Sequence, residues 1–445
     1  MKISARWLKE YIKTDRSVDD IADYLTDLGL EVEGIHHFEL VKGGLNGIVV
    51  GEVIECKKHP NADKLKLTKV KVNKKKTLQI ICGAPNVAIG QKVPVALVGS
   101  VLYPKNDKEV LIRSSKIRGE ESNGMICAED ELGIGNSHDG IMVLNNNLEI
   151  GKPLKDALGI EDDYIYEIGL TPNRADAMSH MGVARDLKAY FIQNKIDYIW
   201  NSPKIENLPS PSKTKKINVQ VDEPELAPYY FGITLTNINV LPSPDWIQNY
   251  LRSIGITPKN NVVDITNFVL HDIGQPLHSF DADKIEGDII VKKSKKGTKF
   301  QTLDHNEVEL SDEDLMICDQ NKPLCLAGIY GGKDSGVSKS TKSIFLESAY
   351  FNAQTIRKSS KRHGFNTDAS YRFERGIDPE ICLIALKRAV FLMTKYANAV
   401  ISSEIVEFQT PNEAPAKIFI SYEQINNTIG QDIPKEDLTN ILNAL

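Results

Sequence analysis

Arg362-His363-Gly364-Phe365-Asn366-Thr367-Asp368-Ala369-Ser370-Tyr371-Arg372-Phe373-Glu374-Arg375-Gly376 packs four cationic or imidazole groups, two acids and two glycines into fifteen positions. Apolar residues recur in it at neither the helical nor the strand period, so an irregular segment is expected. Phe365, Tyr371 and Phe373 are interleaved with the charges, which is unusual for a solvated loop. Two arrangements accommodate that mixture. One is a pocket lined by polar groups, the other an ion-paired network holding two layers together.

At 445 residues, 41% apolar and 26% charged, the chain exceeds what one core supports, and about three domains are expected. No apolar run approaches the ~20 residues of a membrane span, so no membrane association is expected. The opening Met-Lys-Ile-Ser-Ala-Arg-Trp-Leu-Lys-Glu-Tyr-Ile lacks the apolar centre of a signal peptide. Cys56, Cys82, Cys127, Cys318, Cys325 and Cys382 form no C-x-x-C pair, which argues against a zinc site or disulfide framework and for a cytoplasmic protein. Net charge is −6, yet residues 40–150 carry sixteen Lys/Arg against twelve Asp/Glu, or +4, leaving −10 for the remainder. Within Lys57–Lys76 nine lysines face a single acid, Asp63. Such a cluster is an electrostatic footprint for phosphate, or else a solvated strand face.

Ser17-Val-Asp-Asp20 predicts a capped helix continuing through Ile21, Leu25 and Leu28 to a stop at Gly29. From about Leu40 short β runs follow: Gly47–Ile54, Leu67–Val72, Leu78–Cys82 and Lys92–Val98. Turn residues between them predict a small barrel of roughly five strands. Strands are expected to give out at Asn145, and Thr171–Asp176 to introduce a helix through Ala184, Leu187 and Tyr190. Residues 1–38 and 151–200 then form one α-rich N-terminal domain with the barrel, residues 39–150, inserted into it. Prolines and serines in 201–216 mark a linker before α+β sequence over 217–408, and Gln409–Pro415 marks a second. A helix opening at Pro434 carries Leu438, Ile441, Leu442 and Leu445 on one face. Its partner is expected in further chain that this sequence lacks, so a C-terminal truncation is expected.

Two signatures in the barrel segment, Lys58-His59-Pro60-Asn61-Ala62-Asp63-Lys64-Leu65 with Ile81–Val87 and Lys116–Cys127 with Glu131-Leu132-Gly133, resemble the tRNA-binding OB-fold module of aminoacyl-tRNA synthetases. Gly169–Arg185 is similar to the helix after that module in the bacterial phenylalanyl-tRNA synthetase β-subunit family. Asn261–Asn267, Gly274–Asp281, Gly328–Gly332, Ser335–Val337, Leu346–Ala349 and Arg362–Gly376 follow in the family's order. The resemblance covers essentially the whole chain. It implies a multidomain α+β protein: an α-rich N-terminal domain, an inserted five-stranded OB-fold barrel, a mixed α+β editing domain of B3/B4 type over 217–408, and over 409–445 a linker and the start of a B5-type helical domain.

The resemblance also implies partners and chemistry. The family's β subunit assembles with an α subunit as an (αβ)₂ heterotetramer and binds the phenylalanine tRNA. ATP and Mg²⁺ serve the class II synthetic site on the α subunit, with β-subunit metal ligands beyond residue 445. No cofactor is expected in this part, and no Walker-type loop is present. The editing domain hydrolyses tyrosine wrongly attached to that tRNA. An apolar pocket rejects an added hydroxyl by only ~100-fold, whereas a pocket with buried polar groups rejects the analogue lacking it by ~10⁴ or more.

By resemblance Glu347 accepts the tyrosine hydroxyl, His278 holds the substrate or orients water, and Thr367 completes the catalytic set. Glu347 stands among Ile344, Phe345, Leu346 and Ala349, an expensive place for a carboxylate without a partner such as Arg362 or Arg372. Gly328, Gly331 and Gly332 allow close backbone approach to a ligand, or a tight hairpin. Ala369 leaves room for the phenol, and Asp264, Thr266 and Asn267 support the site. Cys325 has no activating base and is read as core. Lys57, Lys58, Lys64, Lys66, Lys69 and Arg118 are the expected tRNA contacts, through phosphate rather than stacked bases, since Tyr103 is nearly the only aromatic there. Two competing readings are a non-catalytic tRNA-binding or assembly scaffold and a hydrolase of another ester.

Overall fold

The computed structural model describes residues 1–445 except 105–107, 136, 203–206 and 412–416. Parts of both expected linkers, including Pro203 and Pro415, therefore lie outside the described residues. The chain forms two compact units, one of residues 37–163 and one that joins residues 1–36 to 164–445.

The unit of residues 37–163 is built on a five-stranded antiparallel sheet. In spatial order its strands are Met125–Ile126, Lys92–Ala96, Ile48–His59, Ala62–Lys71 and Thr77–Cys82. The four β runs expected from the sequence are all present. Alternation along the longest strand explains its two covered faces: Ile48 and Val50 enter one core, Val53 another with Val70, Ile80 and Val93. Among the described residues no pairing joins the two edge strands, so the sheet is an open path rather than the closed barrel expected.

In the other unit, Lys2–Ser4, Asp163–Gly169 and Glu31–Phe38 make a three-stranded sheet. The expectation that strands end at Asn145 is thus corrected, because Asp163–Gly169 pairs with Lys2–Ser4 before the helix His180–Asn194 begins. Helix Val18–Asp27 starts as expected, with Ser17 and Asp20 in a reciprocal capping box. The C-terminal helix Lys435–Ala444 differs from expectation in one respect. Leu438 is buried where this helix meets His180–Asn194, while Leu442 and Leu445 stay exposed.

Residues 217–408 carry two five-stranded sheets. One runs Val219–Val221, Ile289–Lys293, Leu315–Cys318, Pro323–Leu326 and Tyr330–Gly331. The other runs Leu277–Asp281, Ile344–Tyr350, Tyr229–Thr236 and Val400–Ile401, with Val406–Gln409 also pairing to Tyr229–Thr236. One core containing Tyr230, Phe280, Leu326 and Phe345 draws on both.

The stretch Arg362–Gly376 is more regular than expected. It closes helix Ala353–His363 at Gly364 (φ 68°) and forms helix Asp368–Phe373, whose N-cap Thr367 makes a capping box with Ser370. Both helices are short, and local capping rather than apolar period starts and stops them.

Its cations are held in a network. Arg372 is buried and donates from Nε to the Met178 carbonyl (3.2 Å), from Nη1 to the Asp368 carbonyl (2.9 Å) and from Nη2 to His271 Nδ1 (3.3 Å). The His271 carbonyl accepts from His180 Nδ1 (2.8 Å), and His180 Nε2 accepts the Ser4 amide (3.0 Å). Those two bonds fix His180 as the neutral Nδ1–H tautomer, and burial pushes its pKa down to about 3. Arg362 and His363 bind the buried Asp314 at 2.6 and 2.7 Å.

A histidine buried neutral stabilises the fold above its unfolded pKa near 6.5 and loses that contribution as pH falls toward 3. The unfolding midpoint should therefore drop as pH is lowered through this window. Arg372→Met should cost about 3–5 kcal/mol by stranding three acceptors. Tryptophan fluorescence reads this directly, because Trp7 stacks on His180 at 4.0 Å. A loss below about 1 kcal/mol would show that the network is dispensable.

Candidate functional site

Strand Ile344–Tyr350 lies between Tyr229–Thr236 and Leu277–Asp281, and its side chains alternate between two faces. Ile344 and Leu346 enter the core that includes Leu386 and Val390 of helix Ile381–Tyr396, and Ser348 Oγ donates to the Cys382 carbonyl at 2.7 Å. Phe345 and Ala349 enter the core shared with the other sheet. Glu347, between them in the alternation, is set among apolar groups on that second face.

Glu347 is 5% exposed. Its partner is neither Arg362 nor Arg372 but Tyr230, whose hydroxyl donates to Oε2 at 2.5 Å. Burial pushes the Glu347 pKa up to about 8, and the Tyr230 bond pulls against it. Burial and the neighbouring carboxylate together hold the Tyr230 phenol well above its ordinary range. Gly232 is the cross-strand neighbour of Glu347 on this side.

His278 is the neighbour on the other side, paired in register with Glu347. Its ring meets the edge of Phe280 at 4.4 Å, and burial lowers its pKa to about 4, so it is neutral at pH 7. Nε2 is buried and, among the described residues, has no hydrogen-bond partner. Gly331 abuts this ring: a Cβ there would sit 2.9 Å from His278 Cε1. Any side chain at 331 would press on the imidazole.

Gly328 turns the chain at φ 65°, against Phe351 and Phe373, as a hairpin glycine does. The Gly332 amide donates to the Leu324 carbonyl at 2.9 Å and is not free for a ligand. Thr367 is brought to the same turn, its Oγ1 donating to the Ile329 carbonyl at 3.1 Å while accepting the Ser370 amide. That hydroxyl is engaged, which leaves its methyl group as the surface it can offer. Ala369 packs against the shared core, and Tyr330 stacks on Phe365 at 5.0 Å. Cys325 is buried core, its thiol pushed far up by desolvation.

Among the described residues no hydrogen bond joins Asp264, Thr266 or Asn267 to this cluster. They lie on helix Asn261–Ile273, which runs into the His278 strand from its far end. Asp264 stands ten residues before Gly274, about 15 Å along the axis, and holds the Ser243 hydroxyl and the Lys259 amide. The residue missed from the sequence is Tyr230. A tyrosine inside the apolar run Tyr229–Leu235 was the available signal, since a buried phenol needs an acceptor.

The expected RNA surface divides in two. Lys57 and Lys69 pair with Glu55 at 3.4 and 3.2 Å, and Lys66 donates to the Pro85 and Val87 carbonyls at 3.1 and 2.8 Å. Lys58, Lys64 and Arg118 are exposed, without an ion pair among the described residues. Asn61 explains why they cluster. His59 Nδ1 accepts the Asn61 amide, His59 Nε2 donates to the Ile117 carbonyl at 3.2 Å, and Asn61 Nδ2 donates to the Arg118 carbonyl at 3.0 Å. The strand turn at His59–Ala62 is thereby tied to the hairpin whose tip is Arg118–Gly119, both at positive φ.

Residues 226–398 match the family described as "B3/4 domain" and residues 48–153 the family described as "Putative tRNA binding domain". Over its whole length the chain is 49% identical to the phenylalanine–tRNA ligase beta subunit of Bacteroides fragilis and 46% identical to that of Porphyromonas gingivalis. The chain belongs to the phenylalanine–tRNA ligase beta-subunit family. It spans about half the length of the curated relatives it matches, 54% in each of these two. A solved N-terminal fragment of the phenylalanyl-tRNA synthetase beta subunit from Pyrococcus horikoshii aligns at 18% identity and a TM-score of 0.31, covering 64% of this chain and 77% of that one. No helix among the described residues is long and apolar enough to cross a membrane.

In this member of the ligase family the Glu347 carboxylate costs stability. Its folded pKa, about 8, lies above the ordinary 4.5, so the protonated form is favoured by folding. Stability is greatest below pH 4.5 for this group and declines as pH rises through 8. Glu347→Gln should remove that decline, so its melting temperature should gain on the parent between pH 5 and about 9. Parallel curves would place the ionised carboxylate in a better-solvated setting than the one described.

Proposed function

We propose that this chain is the tRNA-contacting and editing part of a phenylalanine–tRNA ligase β subunit, and that it hydrolyses tyrosine from mischarged phenylalanine tRNA. The observation that carries the reading is a buried carboxylate, Glu347, beside an unpartnered buried imidazole nitrogen on His278, with glycine backbone against the ring. A phenol is a ligand suited to that carboxylate, because this chain already presents one to it in Tyr230. Phenylalanine would leave the carboxylate without its second donor in an apolar setting, a penalty of the kind that gives large discrimination.

Hydrolysis then needs a water positioned at the ester carbonyl. The water oxygen bonds to the carbonyl carbon, the bond to the ribose oxygen breaks, and a water proton ends on that oxygen. In this reading neutral His278 holds the water or the substrate through Nε2. ATP-driven charging belongs in this reading to a separate α subunit in an (αβ)₂ assembly in the cytoplasm. Lys58, Lys64 and Arg118 supply phosphate contacts.

Deacylation of tyrosyl-tRNA specific for phenylalanine, compared with the correctly charged tRNA, is the test, run on the β subunit with its α partner. Tyrosine should be released selectively. Glu347→Ala and His278→Ala should each cut that release about 10–100-fold, and Ala369→Trp should block it by filling the phenol space. Absence of tyrosine release by the parent protein would leave a binding scaffold. Separately, Lys58→Ala, Lys64→Ala and Arg118→Ala should each weaken RNA binding and reduce its salt slope by about one. Lys66→Ala should instead lower stability, since its ammonium anchors two carbonyls. Equal salt slopes in all four variants would refute this division.

A further inference from the structure

The Tyr230 hydroxyl occupies one oxygen of the carboxylate on which the proposed tyrosine selectivity depends. Strand Tyr229–Thr236 places Tyr230 opposite Ala349, one step diagonal to Glu347 on the shared-core face. Tyr230 is fully buried and its ring is part of the shared core. The 2.5 Å bond runs to Oε2, and no described residue bonds Oε1. The titratable groups facing Glu347 are Tyr230 on one strand, His278 on the other and Cys325 from the opposing sheet. None of these is a cation at neutral pH: the imidazole is held neutral and the thiol protonated by burial.

We propose that Tyr230 is a positioning residue of the editing site: its hydroxyl fixes the Glu347 carboxylate and reserves the single oxygen Oε1 for the phenol of the substrate. The inference rests on the editing reading above and deepens it. With one oxygen filled from within, the site takes one incoming donor in one direction. Without the internal donor the carboxylate is free to rotate and to accept a water in place of the substrate. The bond also favours the ionised, purely accepting form against the burial that opposes it. Tyr230 touches no reacting atom. It acts only through Glu347.

Tyr230→Phe removes the hydroxyl and keeps the ring. With Glu347 mostly protonated at pH 7, loss of the bond lowers its ionised fraction, and the ratio of tyrosine to phenylalanine release from the phenylalanine tRNA should fall about tenfold there, as one unit of pKa gives. The ratio should partly recover toward pH 9, with its rise displaced upward by about one pH unit. The infrared carboxyl band that Glu347→Gln removes should show the same displacement. That measurement needs folded protein but no activity. A merely structural role would lower both releases at every pH without moving the band. An unchanged ratio and band in a parent protein that edits would overturn this inference alone. A parent protein that releases no tyrosine would overturn the editing reading and this inference with it.

Discussion

The buried guanidinium of Arg372 is the constraint on which the surrounding architecture depends. A cation out of water is tolerable only if every donor direction is met, and here the acceptors come from three places in the sequence. The Met178 carbonyl precedes helix His180–Asn194, His271 sits near the end of helix Asn261–Ile273, and Asp368 opens Arg372's own helix. His180 and Ser4 extend the chain of bonds to the first strand. Helix Asp368–Phe373 is thus fixed at both ends, by this network and by the Thr367 cap, and it carries Ala369 between them. Of the two arrangements that the composition of Arg362–Gly376 left open, the polar network is the one its charged side chains form. Arg362, Arg372 and His363 reach other elements, Arg375 bonds Tyr371 and Glu374 within the segment, and Ala369 packs against the shared core.

That site is expensive. Glu347 and His278 each sit where burial disfavours their charged forms, and His278 Nε2 has no partner among the described residues. An apolar pair at these positions would pack without such a cost, so the arrangement is a local conflict of the kind that marks function rather than folding. Tyr230 offsets part of the cost for Glu347. No hydrogen bond from a described residue does so for His278 Nε2.

Much of this was legible in the sequence, and where it was not the reasons are physical. Ser17–Gly29 reads as a capped helix because capping is local chemistry, and the β runs before Val98 read as strands because alternation is local too. Glu347 stood out as an acid among apolar neighbours. Its partner did not, because Tyr230 lies more than a hundred residues away and only strand pairing brings it near. Asp264 belongs to a motif of the sequence, but that its carboxylate is taken up by Ser243 and the Lys259 amide is visible only in the fold. Lys57, Lys66 and Lys69 looked like free cations since a sequence does not show Glu55 or the Pro85 and Val87 carbonyls folding back on them. Barrel closure was likewise invisible, being a property of edge strands and not of their composition.

Strand Lys2–Ser4 pairs with Asp163–Gly169, so the unit that contains it is interrupted by the whole of residues 37–163. During synthesis the first strand emerges long before its partner. At roughly 5–20 residues per second the delay is on the order of ten seconds, and within it every strand of the intervening sheet has been made. Ile3, Trp7 and Leu8, all buried in the finished protein, spend that interval exposed. The insertion thus sets an order of events at the ribosome, with the unit of residues 1–36 and 164–445 closing around residues made before the insertion.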